Sequence, residues 1–510
     1  MPNTVDFTGR PFHFIGIGGI GMSALAYVVA KRKLPVSGSD IHSSHITKRL
    51  QAVGAHIFGS QDASNLEFFQ PSRDTEAEKA AVIGISDAKE SSLEPEKNGQ
   101  VRSGGRWSST NEKVMSMTLP QVICSTAINP ANAEYRAALD LGCPIFHRSD
   151  LLAALIQDYQ SIAVAGTHGK TTTSSMIGYL LLKAGLDPTI VVGGEVNAWE
   201  GNARLGEGPY LVAEADESDG SLSRLSAAIG VVTNIELDHP DHYDSLEEVI
   251  NTFEIFASRC KSVIGCIDCA VVKDSLQPEI SYSLRRDSGA DYTVDEINYG
   301  ADGTEARVWE QGKILGKLSV KLLGAHNLSN ALAAVAVGRK LGVDFGVIAE
   351  AIASFEGARR RFELRGESNG ICFVDDYAHH PSEIIATVGA ARLQVKAPRR
   401  IVAIFQPHRY SRTVTFLAEF AQSFKDADIV VLSDIYSAGE PNLGQISGEQ
   451  VAELIATHHP NVHYQPSLPE ICRLLTRILQ PGDLALFLGA GNLNQIIPEV
   501  MAFYQKEGSS

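Results

Sequence analysis

The sequence predicts an α/β protein built of three successive domains, and three observations carry that prediction. Its 510 residues exceed what one hydrophobic core holds, and at roughly 150 residues per domain they divide into about three. Apolar strand-like runs alternate with helix-like stretches along most of the chain, the pattern of a mainly parallel sheet with covering helices. Two of the strands run into glycine-rich turns that open helices, one at Gly16 and one at Gly166. Boundaries are expected at residues 1–157, 158–357 and 358–510.

In the first domain the strand at residues 13–15 leads into Gly16-Ile17-Gly18-Gly19-Ile20-Gly21, and an apolar helix is expected over 22–30. A second strand, 34–37, ends in Ser39-Asp40, about twenty residues past the glycines. This is the fingerprint of a Rossmann-like domain, in which the glycines form a tight turn and let a diphosphate approach the backbone. Any diphosphate can use such a turn, so the motif leaves NAD and a UDP group both open. From about residue 70 to 119 the sequence turns to Glu, Ser, Lys and Gly and lacks the apolar content to order itself. A strand is expected at 81–85, and the stretch of about 86–118 reads as a mobile insertion. Order resumes with a strand over 122–128 ending in small and hydroxyl residues, Ser125 among them, at a ligand-facing edge. A helix over 132–142 and the segment 144–155 complete the domain.

The central domain opens on Gly166-Thr167-His168-Gly169-Lys170-Thr171-Thr172-Thr173, between a strand at 161–165 and a helix at 174–184. A strand–glycine–helix turn points backbone N–H groups and a helix N-terminus at one spot, which binds phosphate. Lys170 adds a mobile positive charge, and the Thr171 hydroxyl suits Mg²⁺. The loop is a shortened variant, because the first glycine of a full P-loop would fall on Val164. The domain is therefore expected to be P-loop NTPase-like and to bind ATP. Strands at 210–214 and 229–233 end in Glu214-Ala215-Asp216-Glu217-Ser218-Asp219 and in Asn234 through His242. Ligands gather at such strand ends. An alanine-rich helix follows His326-Asn327 and runs to about 341.

The third domain, also α/β and Rossmann-like, has strands at 371–375, 401–405, 429–432 and 485–488. They end in Asp376-Tyr377-Ala378-His379-His380-Pro381, Gln406 through Arg412, Asp434 through Glu440, and Gly489-Ala490-Gly491-Asn492. His379 suits general-base work because imidazole titrates near neutrality. Arg409 and Arg412, three apart, would share a face in a helical first turn and offer bidentate contacts to a carboxylate or phosphate. Mg²⁺ takes carboxylate and hydroxyl oxygens, which fits Thr171 and Glu214. His239 is a less usual ligand, and capping or core packing is its plain alternative. Of Arg359, Arg360 and Arg361, one at most is expected to reach a phosphate.

A net charge of −16 speaks against broad binding to nucleic acid or anionic membrane. The run 12–30 is apolar but interrupted by glycines and lacks a preceding basic segment, so neither a signal peptide nor a membrane span is expected. Seven cysteines without paired spacing fit reduced thiols in a cytoplasm, and Cys266 and Cys269 are expected to be buried thiols. No G-x-S-x-G or H-E-x-x-H motif offers another catalytic scheme.

Taken together, the glycine loop 16–23, the phosphate loop 166–171, Glu214 to Asp219, Thr233 to His239, His326-Asn327…Asn330, Asp375 to Pro381 and Gln406 to Arg412 resemble the Mur ligases. The branch that joins L-alanine to UDP-N-acetylmuramate is the most similar. The resemblance spans nearly the whole chain, and the family shares the shortened phosphate loop, although the polar insertion departs from its pattern. It implies a cytoplasmic ligase, monomeric or weakly dimeric, using ATP and Mg²⁺ (or Mn²⁺). By resemblance the UDP-sugar meets Gly18, Gly19, Ile20, Gly21, Met22, Ser23, Asp40, Ser125 and Asn202. ATP meets Gly166, Thr167, His168, Gly169, Lys170, Thr171, Thr172, Asn327 at the adenine and Asp376 at the ribose. Arg361 reaches the γ-phosphate from the third domain. The metal meets Thr171, Glu214 and His239, and Tyr377, His379, Arg409 and Arg412 line the amino-acid side. Lys170, His239, His379 and Arg361 carry the chemistry. Two rivals stay open: a sister ligase for another amino acid or peptide, and a non-catalytic protein pairing an NAD domain with an NTPase.

Overall fold

The computed structural model describes residues 4–69 and 119–507, and it is mixed α/β throughout. The strand expected at 81–85 and the insertion at 86–118 lie outside the described residues. Two compact units emerge, Met1–Leu155 with Asn202–Leu205, and Ile156–Gly201 with Gly206–Ser510.

The first unit holds a parallel sheet in the spatial order His56–Phe58, Val36–Ser39, Phe12–Ile15, Gln121–Cys124, Ile145–His147. Phe12–Ile15 is buried along its whole length, as a strand covered on both faces must be. The helix Ile20–Lys31 starts two residues before the expected 22, so the glycine loop closes directly onto a helix N-terminus. The strand expected at 122–128 stops at Cys124, because the turn through Ser125, whose carbonyl accepts the Ile128 N–H at 3.0 Å, begins there.

In the second unit a sheet runs in the order Lys313–Val320, Gly303–Glu310, Tyr292–Gly300, Ile280–Ser283, Val263–Cys266, Ile229–Val232, Gln160–Ala165, Tyr210–Glu214, Thr189–Val196. The pairs around Gln160–Ala165 are parallel, whereas Tyr292–Gly300, Gly303–Glu310 and Lys313–Val320 form an antiparallel meander. Sequence reasoning had not separated this meander, whose side chains are largely polar and half exposed. The helices Lys170–Lys183 and Ala325–Lys340 pack against each other over the sheet, and Gly338 allows the approach, since a Cβ there would lie 3.3 Å from Leu180. Cys266 is buried but Cys269 is only half-buried, correcting the expectation for the pair.

The third sheet, also in the second unit, runs Glu363–Ser368, Ile371–Asp376, Leu484–Leu488, Ile401–Phe405, Ile429–Leu432, Val462–Tyr464. It is parallel except for its first, antiparallel strand. The His-His-Pro and Arg-x-x-Arg segments emerge from the carboxyl ends of Ile371–Asp376 and Ile401–Phe405. No described helix is long and apolar enough to cross a membrane.

Candidate active site

The phosphate loop is shaped by two glycines that nothing larger could replace. Gly166 has φ +139 and a Cβ there would collide with Thr233 Oγ1; Gly169 has φ +83 and a Cβ would lie 2.7 Å from Asn330 Oδ1. Such positive φ values favour glycine. The loop is then pinned to the neighbouring strand end. Thr167 N–H donates to Asn234 O at 3.0 Å, His168 N–H donates to Asn234 Oδ1 at 2.8 Å, and Thr233 Oγ1 donates to His168 O at 2.6 Å. Lys170 is the first residue of the helix Lys170–Lys183, four residues earlier than expected. The cradle is therefore a helix N-terminus held rigid before any ligand arrives.

Lys170 Nζ folds back onto the loop, donating to Gly166 O at 2.7 Å, Thr167 O at 3.1 Å and Glu217 Oε1 at 2.9 Å. Burial opposes its charge, but Glu217, Asp216 and Glu214 outweigh that and hold its pKa above the ordinary value. Burial pushes Glu217 up to about 7, with Asp216 adding to it against the pull of Lys170. His239 sits at φ +55, its Nε2 3.9 Å from Glu217 Oε1 and 3.5 Å from Asp238 Oδ2. Ligand atoms of Asp216, Glu217 and His239 all lie within 4.8 Å of one another. Glu214 ends the adjacent strand, paired in register with Val164, and its carboxylate accepts the Gly193 N–H at 2.7 Å. Thr171 is buried, with Arg361 Nη2 donating to its Oγ1 at 3.5 Å. The carboxylates of Asp216 and Glu217 with the imidazole of His239 form a donor set that suits Mg²⁺ or Mn²⁺, and Glu214 joins no such grouping among the described residues. Glu217 and Asp216 were noticed in sequence only as members of an acidic run; their place against Lys170 is a product of the fold.

The third sheet delivers its residues onto the same loop. Arg361 reaches Thr171, whereas Arg359 pairs with Glu195 at 3.1 Å and Arg360 donates to Gly489 O at 2.6 Å. Asp376 is buried, and its oxygens accept the Phe362 N–H at 2.7 Å and the Ala378 N–H at 2.8 Å. The expected ribose contact is thus a carboxylate already holding its own turn. Tyr377 lies under both Arg360 and Arg361, whose guanidinium carbons are 4.9 and 5.2 Å from its ring centre. Asn327 Nδ2 donates to Leu323 O at 2.8 Å, and its Oδ1 accepts from Asn330 at 3.2 Å, so it steadies the wall behind Gly169. Thr172 is buried in the helix Lys170–Lys183.

Arg409 and Arg412 do not share a helical face. Arg409 stands before the helix Tyr410–Thr415 with φ +70 and pairs with Asp241 at 2.6 Å. Arg412, 2% exposed, pairs through Nε with Asp238 at 2.9 Å and lies 3.5 Å from His408 Nδ1. The left-handed turn at Arg409 separates the two side chains. His379 and His408 meet edge to face at 5.8 Å between ring centres. Burial lowers the pKa of His379 to about 4, leaving the ring neutral.

His168 lies between two carboxylates, Nδ1 3.3 Å from Glu383 Oε1 and Nε2 3.4 Å from Glu236 Oε2. Burial opposes its charge, but the carboxylates of Glu236 and Glu383 raise it to about 9. Ser382 Oγ donates to Glu236 Oε2 at 2.7 Å. His168, Glu236 and His380 also bring ligand atoms within 4.8 Å. His380 Nδ1 accepts the Ser382 N–H at 3.3 Å, so the neutral ring keeps its proton on Nε2 and has no lone pair there for a metal. This group is a clamp of polar contacts, in which His168 Nε2 and His380 Nε2 have no hydrogen-bond partner among the described residues. Glu236 and Glu383 had no assigned role in the sequence reading, because nothing local marks them out.

In the first unit Asp40 closes the glycine loop, Oδ2 accepting the Gly18 N–H at 2.8 Å and Oδ1 the His42 N–H at 2.9 Å. Gly19 and Ile20 are exposed at the helix start, Ser125 is half-buried, and Met22 is in the core, 4% exposed. Asn202 Nδ2 donates to Ile20 O at 2.5 Å and Ser23 Oγ at 2.9 Å, fastening the helix N-terminus. A Cβ on Gly21 would lie 3.5 Å from an Arg148 guanidinium nitrogen. That arginine, unnoticed in the sequence, sets positive charge beside the loop.

Comparisons with known proteins agree with this arrangement. Residues 11–160 match the Mur ligase family catalytic domain, 164–338 the Mur ligase middle domain, and 360–491 the Mur ligase glutamate ligase domain. The chain is 67% identical to a UDP-N-acetylmuramate–L-alanine ligase of Nostoc punctiforme, over 99% of this chain and 98% of the other. It is 59% identical to the protein of the same name from Synechococcus elongatus, with each chain fully covered. Among solved structures, the UDP-N-acetylmuramate–alanine ligase of Thermotoga maritima superposes with a TM-score of 0.76 at 26% identity, over 98% of this chain and 100% of that one.

Proposed function

We infer that this chain, which belongs to the Mur ligase family, is an ATP-dependent ligase that joins L-alanine to the carboxylate of UDP-N-acetylmuramate in peptidoglycan synthesis. The observation that carries this reading is the likeness to alanine ligases along the whole of both chains. The site supplies the parts the reaction requires. The muramate carboxylate attacks the γ-phosphorus of ATP, ADP leaves, and an acyl phosphate results. The alanine nitrogen then attacks the acyl carbon, and phosphate departs from the tetrahedral intermediate.

Bringing a carboxylate to a triphosphate requires charge neutralisation. Lys170, held charged by its acidic neighbours, would exchange Glu217 for the β- and γ-phosphates by a rotation of its side chain. Arg361 is aimed at the same place from the third sheet. Thr171, Glu214 and His239, with Glu217 beside them, would hold Mg²⁺ or Mn²⁺, which supplies neutralisation of the phosphate charge. Asn327 and Asp376 are assigned to the adenosine end, Tyr377, His379, Arg409 and Arg412 to alanine. The glycine loop 18–23 with Asp40, Ser125 and Asn202 is assigned to the UDP-sugar. The phosphate loop and the alanine side are in contact through Arg361–Thr171 and the His168 clamp. That closure supports a site that excludes the water able to hydrolyse an acyl phosphate. We place the enzyme in the cytoplasm with its nucleotide substrates.

The test is ATP-dependent phosphate release with UDP-N-acetylmuramate and, separately, alanine, serine, glycine or aspartate. Alanine is expected to give the highest kcat/KM. Equal turnover with aspartate would remove the substrate assignment.

A further inference from the structure

Glu383 is the third residue of the helix Pro381–Gln394 and completes a capping box with His380. A glutamate at that position is an ordinary helix start. Its surroundings are not ordinary. Oε2 accepts the His379 N–H at 3.0 Å and the His380 N–H at 3.3 Å, and lies 3.2 Å from His379 Nδ1. Oε1 lies 3.3 Å from Nδ1 of His168 in the phosphate loop. One half-buried carboxylate therefore touches both the loop assigned to ATP and the histidine assigned to the amine.

The tautomer of His379 follows from these contacts. Its Nδ1 is 2.9 Å from the Tyr377 carbonyl oxygen. A carbonyl can only accept, so Nδ1 carries the proton and donates it to Tyr377, with the Glu383 carboxylate 3.2 Å from the same nitrogen. The lone pair is left on Nε2, for which no hydrogen-bond partner exists among the described residues. The Tyr377 carbonyl thus sets the tautomer, while the Glu383 carboxylate holds the His379 backbone N–H and, 3.2 Å from the ring, steadies the imidazolium that forms.

We propose that Glu383 is a positioning residue for the amine step: it fixes His379 with Nε2 free to accept the alanine proton, and through His168 ties that base to the phosphate loop. The inference rests on the ligase reading above. As the alanine nitrogen bonds to the acyl carbon, the proton passes from that nitrogen to His379 Nε2. The C–O bond to phosphate then breaks and phosphate leaves with the electron pair. The His379 ring also faces Tyr377, His408, Arg412 and Asp238. Glu383 is the group whose charge favours the imidazolium most, offsetting burial and the nearby Arg412.

The experiment compares the full-length enzyme with Glu383→Gln, His379→Asn and the double variant. It separately measures acyl-phosphate formation, by isotope exchange without alanine, and the amine step in single turnover. Glutamine keeps the size and an accepting oxygen of the cap but loses the charge. Glu383→Gln is expected to slow the amine step roughly 100-fold, to leave acyl-phosphate formation within about threefold, and to move the acid limb of its pH profile to lower pH. In the double variant the loss should not exceed that of His379→Asn, since Glu383 acts through His379. Equal loss in both half-reactions with an unmoved pH limb, or additive losses in the double variant, would overturn the proposal. If Glu383→Gln folds poorly, His168→Gln serves instead, because it removes the partner on Oε1, together with the Glu236 pairing, and leaves the Oε2 contacts to His379 in place. Loss of the amine step there without a change in its pH limb supports the tie to the phosphate loop, and an unchanged amine step overturns that half of the proposal. A wild-type enzyme without alanine-dependent turnover would instead defeat the functional reading itself.

Discussion

Replacing Arg412 by methionine should weaken the second unit through the partner it leaves behind. Arg412 and Asp238 are 2% and 6% exposed and joined at 2.9 Å, so neither is hydrated to any useful extent. Burial raises the Asp238 carboxyl, but Arg412 beside it more than compensates and holds it well below the usual carboxylate range. Methionine fills most of the arginine's volume, so the cavity contribution is small and the stranded carboxylate dominates. Removing one member of a buried pair costs about 3–5 kcal/mol. At about 2 °C per kcal/mol or more for a sizeable domain, a 3 kcal/mol loss lowers Tm by roughly 6 °C. The pair links the strand end after Ile229–Val232 to the helix Tyr410–Thr415, so the first motion released is separation of these segments. The assays are thermal denaturation by circular dichroism and hydrogen exchange of the amides around 238 and 412. Asp238→Asn added to Arg412→Met should recover more than half of the loss, because no ionised group then remains unpaired. A single variant within about 1 °C of wild type, or a double variant that loses the sum of both single losses, would refute the reasoning.

Lys170→Ala should lower phosphoryl transfer by about a thousandfold or more, by loss of a charge aimed at the transferred group, while calorimetric affinity for UDP-N-acetylmuramate changes less than about threefold. Retained turnover would contradict the placement of the triphosphate. Stability should also depend on pH through the His168 clamp. The folded pKa of His168, about 9, lies above the ordinary 6.5, so its contribution is complete below about 6.5 and is lost as pH rises toward 9. Glu236 is held down to about 2, chiefly by His168, and contributes above about 4.5, fading as pH falls toward 2. Tm should therefore decline between pH 6.5 and 9, and His168→Gln should flatten that decline; an equal slope in the variant would exclude His168 as its source.

The local signals in the sequence were strong where one residue type is forced. Gly166 and Gly169 could be read because positive φ and close approach to Thr233 and Asn330 admit nothing larger. The strands at 210–214, 401–405 and 429–432 could be read because burial on both faces demands unbroken apolar runs. The meander at 292–320 could not, since its half-exposed residues carry little apolar signal and its pairing is set by partners on either side.

Within the site, the sequence by itself determined which residue types were present: a lysine on a phosphate loop, acids and a histidine at strand ends, and an arginine–histidine set in the third domain. Only the tertiary structure decided their partners. It sent Arg361 rather than Arg359 to Thr171, parted Arg409 from Arg412 by one left-handed residue, and set Glu383 between His168 and His379, 215 residues apart in the case of His168. Such pairings join chain segments distant in sequence, and no local propensity encodes which of several equivalent charged groups meet once the sheets have packed.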